Sequence, residues 1–168
     1  MNQNTSQDLQ TGTHYAVTIG SQTVGNEGWA YTGTLYRNGV RIATFEERGD
    51  GGDMPCSFVS REEEDAFRAH AIATAPADLQ LASYYEHGFP IVRLVTRHLV
   101  EKDLTRDMAR QVLVWFMDEK GLGCVKSPRK ADTHAIALKV QAQNPGSVVL
   151  NLLPFDAAVA LALTFDLA

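Results

Sequence analysis

Asn38-Gly39 stands between two runs of strand-forming residues, WAYTGTLYR (Trp29 to Arg37) and VRIATFEE (Val40 to Glu47). A two-residue hairpin turn needs positive φ at both central positions, which Asn tolerates and Gly adopts freely. Val40, Ile42 and Thr44 alternate along the second run, as one face of a strand requires. The pair therefore commits residues 29–47 to an antiparallel hairpin. An isolated hairpin is marginal in water, so further strands or a helix must cover one face.

Neighbouring segments supply candidates. Tyr15, Val17 and Ile19 alternate and predict a first strand. Gly20 to Gly28 reads as a loop, and residues 1–12 as a disordered tail. Glu47 to Pro55 reads as a wide turn, with Phe58 and Val59 forming a short further strand. Ser60, three residues before Glu63, makes a capping box that opens a helix over 61–74. Ala66, Phe67, Ala71 and Ala73 are its expected core face. Pro76 ends it, and a short helix is expected over 78–87, stopped near Gly88. Ile91, Leu94, Val95, His98 and Leu99 form a helical stripe. Asp103 or Thr105 is expected to cap another helix running to Lys120, with Met108, Val112, Trp115 and Phe116 as its apolar side. These two helices would form a helical hairpin.

Gly121 to Lys130 reads as a loop with a brief strand at Cys124–Val125. Alternation of His134, Ile136, Leu138 and Val140, the turn Asn144-Pro145-Gly146, and the run Val148 to Leu153 predict a second hairpin over 133–153. A final helix is expected over 157–165, although ALALTFDL also alternates and leaves a strand open for 157–167. Strands and helices segregate along the chain, so the expected fold is one α+β domain over 13–168. It comprises an N-terminal antiparallel hairpin or meander, central helices, and a C-terminal hairpin and helix.

A chain of 168 residues can bury one sizeable core. With 45% hydrophobic and 21% charged residues it is neither a disordered chain nor a collagen. Its two cysteines, Cys56 and Cys124, are far apart; they fit free thiols in a reducing compartment and leave one disulfide open. The first thirteen residues have no basic and apolar signal pattern. The apolar stretch from Val148 to Ala168 is broken by Asn151, Pro154, Asp156 and Asp166, so it does not read as a membrane span. A cytoplasmic protein is expected.

The charge is uneven. Between Glu46 and Asp65, eight acids (Glu46, Glu47, Asp50, Asp53, Glu62, Glu63, Glu64, Asp65) against two bases leave −6; the other 13 bases and 12 acids leave +1. Direct binding of this stretch to nucleic acid is unfavourable, whereas a basic protein surface would be attracted to it. The same acids also suit a helix start and a solvated loop.

Catalytic signatures are weak. Gly49 to Gly52 has no lysine to reach a phosphate. The five histidines show no metal-ligand spacing, so neither metal nor cofactor is expected. Cys56 is the one candidate nucleophile, and its acidic surroundings would raise its pKa and dull it. Lys120, Lys126, Arg129 and Lys130 form a basic group without the interleaved aromatics of a nucleic-acid site. Trp29, Tyr31 and Tyr36 serve either a core or an interface.

The run Gly33-Thr34-Leu35-Tyr36-Arg37-Asn38-Gly39-Val40-Arg41-Ile42-Ala43, with Glu47-Arg48-Gly49-Asp50-Gly51-Gly52 and Phe58 after it, resembles a hairpin, glycine loop and helix of small phage and prophage proteins. The resemblance spans residues 29–72. In size, acidity and lack of catalytic motifs the chain is also similar to anti-CRISPR proteins. The resemblance implies a non-enzymatic inhibitor inside the host bacterial cell. Its acids would bind the basic nucleic-acid-binding surface of a defence complex, with no direct contact to nucleic acid or membrane, and a homodimer as one arrangement. The rival expectations are a small hydrolase with a site built from scattered residues, and an assembly module with an apolar dimer face.

Overall fold

A computed structural model describes residues 12–76, 79, 85–116, 121–126 and 132–166, for 121–122, 124–126 and 165–166 the backbone alone. Its secondary structure defines a mixed α+β fold. The chain divides into two compact units, residues 1–95 and 96–168.

The first unit is a four-stranded antiparallel meander: β1 (Tyr15–Val24), β2 (Trp29–Arg37), β3 (Val40–Glu47) and β4 (Cys56–Phe58), in that spatial order. The β2–β3 turn forms as its chemistry requires, with Asn38 at φ 50° and Gly39 at φ 80°. Asn38 also closes the sheet corner, its side-chain Oδ1 accepting from the His14 amide at 2.9 Å. β1 runs past the expected end at Ile19. A register shift between Ile19 and Ser21 absorbs Gly20 as a bulge, and pairing with β2 continues to Val24↔Trp29. The loop is thus confined to 25–28.

Helix α1 (Arg61–Thr74) has the expected bounds, and Ser60 Oγ accepts from the Glu63 amide at 3.3 Å. Phe67 is 1% exposed, its ring 5.2 Å from Tyr15 and 5.9 Å from Phe58. α1 therefore covers the sheet face that carries Tyr15 and the cross-strand row Val17, Leu35, Ala43 and Phe58, which stand opposite one another in the strand register. A bulge at Ile42 buries that side chain as well. Ala71 is buried as expected, but Ala73 is exposed. The opposite sheet face carries Thr18, Thr34 and Thr44. The helix expected over 78–87 lies mostly outside the described residues. Gly88, expected as its stop, is instead the first residue of α2 (Gly88–Met108).

The second unit departs from expectation. No helix continues to Lys120: α2 ends at Met108, and Gln111–Phe116 is a strand, β5. It lies between β6 (Gly121–Lys126) and β7 (Ser147–Val149), antiparallel to both. Leu113 belongs to a core with Val100 and Leu104 of α2 and with Ala158 and Val159 of α4 (Phe155–Asp166). Val112 and Val114 belong to another, with Ala137 and Val140 of α3 (Thr133–Gln143). Covered on both faces, β5 reads as an unbroken apolar run, and such a run carries neither a period of two nor one of 3.6.

The C-terminal hairpin over 133–153 is also corrected, because 133–143 is helix α3. Asp132 Oδ1 accepts from the His134 and Ala135 amides at 2.9 and 3.3 Å, an N-cap that starts the helix. Ala137 and Val140 are buried at helical spacing, while Leu138, which a strand would turn inward with Ile136 and Val140, is 52% exposed. The loop expected over 121–130 is strand β6 as far as Lys126. The turn at Asn144 to Gly146 and the final helix hold.

Two side-chain amides complete this unit's backbone bonding. Gln141 donates to Ser147 O at 3.0 Å and accepts from Val149 N at 3.2 Å. Asn151 accepts from Leu113 N at 2.8 Å and donates to Met108 O and Gln111 O at 3.2 Å each, joining the α2 end to β5.

Two stability predictions follow from these contacts. Gly39→Val, forcing a β-branched residue to positive φ, should lower unfolding stability by about 1 kcal/mol or more in urea titration. Asn151→Ala strands the Leu113 amide beside a buried side chain and should cost about 1–3 kcal/mol. In hydrogen exchange, amides of 111–116 should lose protection before those of β1–β3.

Candidate functional site

The acidic stretch begins where β3 leaves the sheet. Glu46 lies opposite Thr32 and Glu47 opposite Tyr31, so the two carboxylates leave on opposite sheet faces. Glu47 Oε1 accepts from the Gly49 amide, and Asp50 Oδ1 from the Gly52 amide, both at 3.0 Å. Gly49 and Gly51 hold φ of 64° and 72°, which side chains rarely adopt. Gly49 O accepts from Glu27 N at 2.7 Å, fastening this turn to the β1–β2 loop. Gly25 is needed there, since a Cβ would stand 2.7 Å from Gly49 O. Asp50 and Asp53 are exposed on this fastened turn.

The acids of α1 divide. Glu63 Oε1 is 2.6 Å from Arg37 Nη2, and its Oε2 is shut from solvent without a partner. Glu64 Oε1 is 3.1 Å from His87 Nε2, a close approach not aligned as a hydrogen bond. Glu62 and Asp65 are exposed; Asp65 is 3.9 Å from Arg61, and Glu46 is 3.5 Å from Arg48. Among the described residues Asp53 and Glu62 have no ion-pair partner. The eight acids are therefore not one surface. Glu47, Glu63 and Glu64 are engaged within the fold, whereas Glu46, Asp50, Asp53, Glu62 and Asp65 face outward.

Beneath α1 lies a group of titratable and aromatic side chains that sequence reasoning did not assemble. His87 packs edge-on against Tyr85 with ring centroids 5.1 Å apart, and it also meets Phe58 at 5.3 Å. The Arg68 guanidinium lies 5.1 Å over the Tyr85 ring. Cys56 is a free thiol, pushed up to about 11 by burial and then by the Glu64 charge. Burial and the neighbouring Cys56 push Tyr85 up to about 12, and burial and Glu47 do the same for Tyr31. A thiol held protonated is a poor nucleophile. His70 stacks on Tyr15 at 4.5 Å, and burial lowers its pKa. The aromatic signal in the sequence was visible at Tyr85, but of its partners only His87 is near in sequence, while Arg68 and Cys56 come from α1 and β4.

Among the described residues no group of three or more His, Cys, Asp and Glu side chains is arranged to hold a metal, and no helix is long and apolar enough to cross a membrane. The basic group Lys120, Lys126, Arg129 and Lys130 lies outside the described side chains. No family model, no curated protein and no solved structure matches the chain.

The raised groups give a pH prediction. Cys56, Tyr31 and Tyr85 keep their protons in the folded chain where the unfolded chain has lost them, so stability should fall as pH climbs from about 9 through about 12. Native Cys56 should also react with iodoacetamide at neutral pH roughly 100-fold more slowly than in the unfolded chain, since two pKa units remove that share of thiolate. Peptide mass spectrometry across a time course reads the ratio.

Proposed function

We propose that the protein acts by binding, and that its outward acids dock on a basic surface of a nucleic-acid-binding partner. The observation carrying this reading is the fastened turn after β3. It presents Asp50 and Asp53 on backbone pinned by the Glu47, Asp50 and Glu27 hydrogen bonds, so little ordering entropy opposes their engagement. Glu62 and Asp65 on the exposed side of α1, and Glu46, add charge to the same unit. Such charges raise the encounter rate and select against acidic partners. The resemblance of residues 29–72 to phage proteins makes a bacterial nucleoprotein defence complex the first partner to test.

The structure narrows the variants. Asp53→Lys, Glu62→Lys and Asp65→Lys change outward groups and leave the hydrogen bonds of the turn in place. Combined, they should leave the circular dichroism spectrum intact and weaken binding to a purified CRISPR effector complex at least roughly tenfold at low salt, with the difference shrinking as salt rises. Glu63→Gln loosens the contact with Arg37 and should lower the melting temperature while leaving the affinity of the folded protein unchanged. Binding that survives the combined variant at low salt, or no binding by the parent chain to any such complex, overturns the reading.

A further inference from the structure

The sheet face opposite α1 carries hydroxyls in register. Thr18, Thr34, Thr44 and Ser57 stand opposite one another, one from each strand, forming a row across the whole sheet. Successive members are spaced by the strand separation, about 4.8 Å. Beside this row, Ser21 and Thr32 share a hydrogen bond at 2.8 Å, and Glu46 stands opposite Thr32. The four hydroxyls of the first row have no hydrogen-bond partner among the described residues. Thr18 and Ser57 are exposed, and Thr34 and Thr44 half-buried.

This face is not flat. The Gly20 bulge bends β1, and a Cβ on Gly20 would stand 3.4 Å from Thr32 Oγ1, so the missing side chain there leaves room on this face. Around it is an open depression of about 380 Å³, lined mainly by Thr18, Thr32, Thr34, Thr44, Glu46 and Ser57. That volume falls in the range of about 300–1,000 Å³ usual for small-ligand sites.

We propose that this depression binds a neutral, extended oligosaccharide. The lining holds one carboxylate and no cation, and the neighbouring guanidinium, Arg48, is held 3.5 Å from that carboxylate, so the depression itself offers nothing to pair with a phosphate. An acyl chain or apolar peptide would bury hydroxyls without partners, at a cost of about 1–3 kcal/mol each. A saccharide avoids both difficulties. Its hydroxyls donate and accept just as those of threonine do, and Glu46 accepts from two neighbouring sugar hydroxyls at once. The repeating row matches a repeating chain of pyranose rings. Tyr36, on the same face two residues beyond Thr34, offers a half-buried ring against which a sugar face stacks. Thr is common on exposed strand faces for its backbone preference alone. The test therefore removes hydroxyls and keeps the β-branched shape.

The 15N-labelled protein is titrated separately with cellotetraose, chitotetraose and maltotetraose. Binding of at least one, with amide shifts centred on residues 18, 32, 34, 44 and 57, is expected. The triple variant T18V/T34V/T44V should weaken that binding at least tenfold with an unchanged spectrum of circular dichroism. Thr23→Val, on the same face beyond the depression, should bind as the parent does. If the triple variant does not fold, the double variant T18V/S57A, confined to exposed side chains, carries the comparison. Three results overturn the proposal: no shift from any of the three sugars up to their solubility limits, binding that the hydroxyl-deleted variant retains, or concentration-dependent broadening of the same amides without sugar, which would assign the face to a second copy of the chain.

Discussion

The packing of Phe67 against Tyr15 and Phe58 is the contact on which the first unit depends. A four-stranded sheet has two faces, and only burial of one by another element gives it a core. Phe67 is the most deeply buried side chain of α1, and it meets both edges of the meander, β1 through Tyr15 and β4 through Phe58. Around that contact, Arg37 and Glu63 pair at 2.6 Å and fix where α1 begins relative to the β2–β3 turn. The pair is partly desolvated, so its contribution lies more in orienting the helix than in net stability. Removing one partner would leave the other charge poorly solvated, which makes Glu63 a structural residue despite its place in an acidic run.

That division of labour bears on function. Acids at a helix start are favoured by the helix dipole and by capping whether or not they meet a partner. In this chain the first turn of α1 serves two purposes. Glu63 and Glu64 turn toward Arg37 and His87, and Glu62 and Asp65 turn outward. The turn after β3 divides in the same way, with Glu47 bonding backbone and Asp53 facing solvent. The outward acids of this turn stand on backbone held by Glu47, Asp50 and the Glu27 amide. The open sheet face has a different character: its central depression is hydroxyl-rich and lined by no cation, and α1 leaves it uncovered.

Local chemistry was legible wherever a few adjacent residues settle the backbone. Asn38-Gly39, the Ser60 cap, the 61–74 helix and the Asn144 to Gly146 turn are all of this kind. The acidic stretch was legible as a composition, but not its split into inward and outward groups. The partners of Glu63 and Glu64 come from β2 and from the segment after residue 84, and no spacing rule links such distant positions. The cluster of Cys56, Tyr85, His87 and Arg68 was hidden for the same reason. The hydroxyl row was invisible as well, because its four members come from four strands and become a row only through their register.

The sequence by itself determined the α+β class, the N-terminal hairpin and the excess of acid between Glu46 and Asp65. These depend on φ preferences, capping and charge, which act within a few residues. Only the tertiary structure decided the identity of 111–116 and 133–143. QVLVWF is a strand because cores on both its faces bury Leu113 on one side and Val112 and Val114 on the other. THAIALKVQAQ is a helix because Asp132 caps it and Ala137 and Val140 find a core, leaving Leu138 in solvent. Short apolar segments fit either period, and burial against distant residues selects between them, since the free energy of that burial outweighs the small difference in local propensity.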